Sequence, residues 1–172
     1  MPDLASFSRH VVLVGPEIAW NTGNAGRTCL GAGAALHLVK PLGFSLDESH
    51  VKRAGLDYWE RVPLFVWESF EDFLAGTGAG IEELVLFTKT AEKSLWDMPR
   101  PPRMFLVFGS ETSGLSSRVL EKFPHRAYHI PIGPGIRSLN LSTAVGIGLY
   151  ESLRGTGISH EPRTNTEDTD AS

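Results

Sequence analysis

Cysteine is nearly absent from this 172-residue chain, with Cys29 its only one. A lone cysteine excludes an internal disulfide and fits a reducing compartment. Positive charge is also scarce: 16 Lys and Arg stand against 20 Asp and Glu, for a formal net charge of -4. The molecule as a whole does not attract polyanions, so any contact with nucleic acid must come from a local basic patch. No apolar run approaches the length of a bilayer span. The opening "MPDLASFSRHVVLVG" lacks a charged region ahead of a long apolar stretch, and a cytoplasmic protein is expected.

Several chemistries are excluded in the same way. The six histidines (His10, His37, His50, His125, His129, His160) show no paired ligand spacing, which with one cysteine argues against a metal site. There is no G-x-S-x-G elbow, no G-x-x-x-x-G-K-[ST] phosphate loop and no G-x-G-x-x-G fingerprint. Trp20, Trp59, Trp67 and Trp96 read as core or rim residues, although Trp59 beside Tyr58 in "KRAGLDYWER" stands out.

What is present is a regular alternation. Apolar strands are expected at His10 to Gly15, Ala35 to Val39, Leu64 to Trp67, Leu84 to Thr88, Met104 to Gly109 and, in "AYHIPI", Ala127 to Ile132. Between them lie helical stretches: a glycine-rich one capped by Asn21 or Thr22, and a short one opened by a Ser45-x-x-Glu48 capping box. A third carries Phe70, Phe73 and Leu74 on one face, a fourth is "SSRVLEKF", and the last is "LNLSTAVGIGLYESLRG". "DMPRPPR" cannot be regular, because its prolines lack backbone donors. The pattern implies one α/β domain over residues 1–155, a mostly parallel sheet with helices on both faces, and a mobile tail over 156–172.

In such sheets ligands bind beyond the carboxyl ends of the strands, and three polar, glycine-bearing stretches fall there. "NTGNAGR" places Asn21, Asn24 and Arg27 at intervals of three along one helix face, suited to phosphate, ribose or carboxylate; a helix merely packed tightly on the sheet explains it equally well. "FGSETSGL" ends a buried strand in Gly109 and offers the carboxylate of Glu111, or else is a turn capped by Ser113 or Ser116 with Glu111 exposed. "IPIGPGIRSLNLSTAV" can be a capped helix start, yet it carries Arg137, Ser138, Asn140 and Ser142, more polar residues than one cap needs.

Together, in this order, the three stretches resemble the three motifs of the SPOUT superfamily of RNA methyltransferases. With "PEIAWNTGNAGR" and "RAGLDYW" they look most like its tRNA (cytidine/uridine-2'-O-)-methyltransferase group. That resemblance implies a C-terminal trefoil knot, a homodimer and S-adenosylmethionine as cofactor. The reaction it implies is methyl transfer to the ribose 2'-hydroxyl of the wobble nucleotide in a tRNA anticodon loop. Carried over by position, Phe87, Gly109, Ile130, Ser138 and Leu139 would hold the cofactor. Arg27, Asn24, Glu111 and Asn140 would form the catalytic site. Lys52, Arg53 and Arg137, with Arg61 and Tyr150, would meet the RNA. Ribosomal RNA as substrate, or a binding module without turnover, are the alternatives.

Overall fold

Near-continuous Val, Leu and Phe runs form strands when both of their faces are covered, which leaves no polar side to alternate with. The computed structural model describes residues 3–46 and 58–156. Its strands are β1 (Arg9–Val14), β2 (Ala35–Val39), β3 (Leu64–Trp67), β4 (Leu84–Phe87), β5 (Lys93–Ser94), β6 (Met104–Phe108) and β7 (Ala127–His129). They make one seven-stranded sheet in the order β3-β2-β1-β6-β4-β7-β5. Every pairing is parallel, where the sequence predicts a mostly parallel sheet.

Helices α1 (Ala19–Ala32), α2 (Phe70–Thr77), α3 (Ser117–Lys122) and α4 (Leu141–Ser152) cover it on two sides. Val11, Leu13, Leu36, Leu38, Val85, Phe87, Leu106 and Phe108 pack against α1 and α4 through Ala25, Cys29, Val145 and Leu149. The alternate residues Val12, Leu84, Leu86, Phe105 and Val107 meet Phe70 and Phe73 of α2 and Val119 of α3. Because the strands are parallel, their carboxyl ends share one edge. Leu13 pairs with Phe108, Phe108 with Phe87, and Phe87 with Tyr128, so the segments after β1, β4, β6 and β7 emerge side by side.

Two expected boundaries shift, and one strand is unforeseen. β7 stops at His129, short of Ile132, because Pro131 has no N–H to continue the ladder. Neither Asn21 nor Thr22 caps α1. The helix starts earlier, with Ile18 at its N-cap, and buries both residues in its first turns. β5 is a two-residue strand within a polar stretch, where periodicity gives no signal. The helix expected after Ser45, with Glu48, Lys52 and Arg53, lies outside the described residues, as does the chain beyond 156.

Two buried polar systems brace the sheet. The guanidinium of Arg9, 3% exposed, donates to the carbonyls of Ser8, Pro101, Pro102 and Ser152, tying the end of α4 to the start of β1. The second is a directed chain of rings. Trp67 Nε1, which can only donate, bonds His37 Nδ1 at 3.0 Å. His37 therefore carries its proton on Nε2 and donates to His10 Nδ1 at 3.0 Å, and His10 Nε2 donates to the Phe7 carbonyl at 3.0 Å. Both imidazoles are neutral. Burial is the main cause that lowers His10 to about 4 and His37 to about 3, with the backbone acceptor at Phe7 opposing the shift for His10.

A histidine whose folded pKa lies below its unfolded value leaves the unfolded chain holding more protons, so its stability contribution is complete above about pH 6.5 and declines as pH falls. Two such groups make stability fall with pH below about 6.5, by on the order of 2 kcal/mol per pH unit. Urea unfolding from pH 8 to 5 should show a plateau above neutrality and this decline below it. A flat profile would contradict the neutral pair.

Candidate active site

Glu111, on the loop after β6, makes the first link between the three stretches. Its carboxylate accepts from the backbone N–H of Glu17 at 2.7 Å, from that of Ile18 at 3.2 Å and from Asn21 Nδ2 at 3.0 Å. A carboxylate at the start of α1 also faces the positive end of the helix dipole. This distant side chain caps α1 where no neighbouring residue does. Asn21 then turns its oxygen to Asn140, whose Nδ2 donates to it at 2.9 Å. Asn140 completes the chain as the N-cap of α4, its oxygen accepting from Ser142 N at 2.9 Å and Thr143 N at 3.4 Å.

Glu111, Asn21 and Asn140 thus latch the loops after β1, β6 and β7 to one another. With its carboxylate engaged by donors, Glu111 is placed to shape the site. Asn21 is the residue that sequence reasoning undervalued, since its partner Glu111 lies 90 positions away. Its regular spacing with Asn24 and Arg27 was the available signal. Ser116 caps α3, accepting from Val119 N at 3.3 Å.

Along α1 the stripe passes from buried Asn21 through half-buried Asn24 to exposed Arg27. Asn24 uses its backbone carbonyl to accept from Thr28 Oγ1 at 3.0 Å. The guanidinium of Arg27 lies over the ring of Tyr58, 5.3 Å from its centroid. Among the described residues it makes no hydrogen bond and no ion pair. With the side chain exposed and its donors unengaged by the described residues, it can meet an oxygen-rich ligand.

The residues expected to hold a cofactor divide into two kinds. Phe87 and Phe108 stack with ring centroids 4.6 Å apart beneath α4, so the Phe87 side chain belongs to the core. Gly109 is buried at the end of β6, and a Cβ there would sit 2.0 Å from Gly114 C and 2.1 Å from Leu115 N. What fills that space is the chain's own returning loop. Ile130 and Leu139 are half-buried, while Pro131 to Ser138 are exposed. None of the backbone hydrogen bonds outside helices and strands begins or ends in that exposed stretch. Its N–H and C=O groups are therefore available to a ligand rich in both donors and acceptors, such as an adenosine.

Arg137 and Arg61 are exposed at the surface, and Tyr150 is 56% exposed on α4. Lys52 and Arg53 fall outside the described residues. No group of His, Cys, Asp and Glu able to hold a metal occurs among the described residues, and no helix there is long and apolar enough to cross a membrane.

Comparison with known proteins bears on this geometry. The model of the SpoU rRNA methylase family matches residues 8–150. The tRNA (cytidine(34)-2'-O)-methyltransferase of Burkholderia ambifaria is 42% identical over 150 residues, covering 87% of this chain and 96% of the relative. A solved structure described as giving insights into the 2-OH methylation of C/U34 on tRNA superposes with a TM-score of 0.77 at 42% identity, covering 85% of this chain and 94% of that one. The AdoMet-bound rRNA methyltransferase of Sinorhizobium meliloti superposes with a TM-score of 0.75 at 25% identity, over 86% of this chain and 56% of its own. With three latched loops at the carboxyl edge of a parallel sheet and a family match across nearly all of the described chain, the protein belongs to the SpoU rRNA methylase family.

Proposed function

We propose that this chain transfers a methyl group from S-adenosylmethionine to the ribose 2'-hydroxyl of the wobble cytidine or uridine of tRNA. The observation that carries the reading is the Glu111–Asn21–Asn140 latch. It draws the loops after β1, β6 and β7 into one crevice, in a chain 42% identical to a tRNA (cytidine(34)-2'-O)-methyltransferase across 96% of that relative. S-Adenosylmethionine supplies an activated methyl on a sulfonium. The free backbone groups of residues 130–139 and the chain around Gly109 and Phe87 fit its adenosine and amino-acid portions, with Ser138 as a polar side chain at the rim.

A ribose hydroxyl is a weak nucleophile, so the site must handle its proton as attack proceeds. A guanidinium remains protonated below about pH 12 and does not serve as the base. Arg27 instead orients the 2'-oxygen and stabilises the negative charge that grows on it, while the proton passes to a phosphate oxygen or water. Asn24 lies one turn earlier on the same helix and contacts the same ribose. Arg137, Arg61, Lys52 and Arg53 supply the local cations that a chain of net charge -4 needs in order to hold RNA.

The working form is a cytoplasmic homodimer. α1 and α4 run side by side, and they leave Trp20, Ile147 and Tyr150 exposed on their outer faces, an apolar surface suited to a second copy. The trefoil knot typical of the SPOUT superfamily belongs to the same reading. β6 and β7 flank β4 on opposite sides, so the chain passes over β4 between them through α3.

Incubation with methyl-labelled S-adenosylmethionine and either bulk tRNA or ribosomal RNA, followed by mapping of the product, tests the proposal. Label confined to a 2'-O-methyl nucleotide at the wobble position is expected. Label in ribosomal RNA alone would move the substrate, and none in either RNA would favour a binding module.

A further inference from the structure

We propose that Tyr58 is the positioning residue for Arg27, holding the guanidinium by the face of its ring so that every N–H donor stays available to the RNA. The inference rests on the catalytic reading of Arg27 given above.

Tyr58 is itself rigidly placed. It is 5% exposed, belongs to the core beside Ala25 and Val62, and its hydroxyl donates to the Gly23 carbonyl at 3.0 Å. Gly23 lies one helical turn before Arg27, so the phenol is fastened to the segment that carries the guanidinium. The next residue tightens the arrangement. Trp59 covers α1 at Gly26, where a Cβ would come within 2.7 Å of the indole Cζ3. Tyr58 and Trp59 therefore grip α1 at consecutive turns, and the tyrosine ring meets the Arg27 guanidinium at 5.3 Å.

The mode of holding matters. A carboxylate partner would fix the guanidinium equally well, but it would take two donors and offset the charge. A ring face restrains its plane through the quadrupole and leaves the donors unengaged. Arg27 makes no hydrogen bond or ion pair among the described residues, as this division of labour requires. A hydroxyl turning into an alkoxide, or a phosphate beside it, is the ligand that uses both the charge and the fork.

The experiment compares parent, Tyr58→Phe, Tyr58→Leu and a series of progressively fluorinated phenylalanines at position 58. It measures single-turnover methyl transfer to tRNA, and binding of S-adenosylhomocysteine by calorimetry. Fluorination drains the ring face of negative potential and leaves its shape nearly unchanged, so a purely structural role would give a flat series. The rate should stay within a few-fold of the parent for Tyr58→Phe and fall stepwise with each fluorine. For Tyr58→Leu it should fall roughly ten-fold, with cofactor-product affinity unchanged. If Tyr58→Leu does not fold, the fluorinated series decides. A flat series, or a Tyr58→Leu enzyme at the parent rate, would overturn the proposal. Arg27→Ala run in parallel separates the two readings: an inert Arg27→Ala with a flat fluorine series removes only the role of Tyr58, whereas an active Arg27→Ala removes the catalytic reading beneath it.

Discussion

Arg27→Ala should reduce methyl transfer by about 10² to 10³-fold, the loss seen when one preorganised donor to a developing oxyanion is removed. Cofactor affinity should hardly change, because Arg27 lies on α1 over Tyr58, while the segments that fit the cofactor follow β4, β6 and β7. Stability should also be preserved, since the side chain is exposed and forms no ion pair among the described residues. Single-turnover transfer, thermal unfolding and calorimetry with S-adenosylhomocysteine read these effects separately. Arg27→Lys keeps the charge but loses the planar fork and its stacking on Tyr58, so it should recover only part of the rate. Normal turnover in Arg27→Ala would remove Arg27 from the chemistry.

The largest structural effect should come from Gly109→Ala. A Cβ there would stand 2.0 Å from Gly114 C, 2.1 Å from Leu115 N and 2.4 Å from Gly114 O, all of them backbone atoms. No side-chain rotation relieves such a clash, so the loop must move. That loop is closed on itself by the Ser110–Gly114 bridge and by Ser113 N donating to Ser110 Oγ at 3.1 Å, and it carries Glu111. Displacing it breaks the latch to Asn21 and removes the cap of α1 in one step. A cost of about 3 kcal/mol or more is expected, lowering the unfolding midpoint by roughly 6–12 °C, with loss of S-adenosylhomocysteine binding. Gly133→Ala is the control for stability, because nothing lies within 4 Å of a Cβ at that position. Its midpoint should match the parent, and equal midpoints for both variants would refute the steric account.

Much of the fold was legible in the sequence. β2 and β3 fall on the expected residues, β4 and β6 differ by a residue at one end, and β1 is displaced by one residue at both. Strands buried on both faces announce themselves as continuous apolar runs with little room for another reading. What stayed hidden depends on pairing across the fold. His10 and His37 showed no common spacing, and only the β1–β2 pairing brings them within hydrogen-bond distance. α1 looked like a helix capped from within because Asn21 and Thr22 have capping side chains. Its cap comes instead from Glu111, which no local rule can supply.

The site itself was legible as three loops, and their likeness to known motifs supplied the order. Gly109 was expected to meet the cofactor, and the space its missing Cβ leaves is taken by the chain's own backbone at Gly114 and Leu115. Tyr58 caught the eye only as half of an aromatic pair. Its bearing on Arg27 needs the ring and the guanidinium in the same frame.

The hydrogen-bonded chain from the Glu111 carboxylate through the Asn21 and Asn140 amides has a thermodynamic consequence. It joins the helix that carries Arg27 to the N-cap of α4, at the end of the exposed stretch after β7. A ligand that draws residues 130–140 into a single arrangement therefore bears on α1 as well. Linkage is reciprocal for equilibrium binding: whatever factor the cofactor lends to RNA affinity, RNA must return to cofactor affinity. Asn21 carries both side-chain hydrogen bonds of that connection.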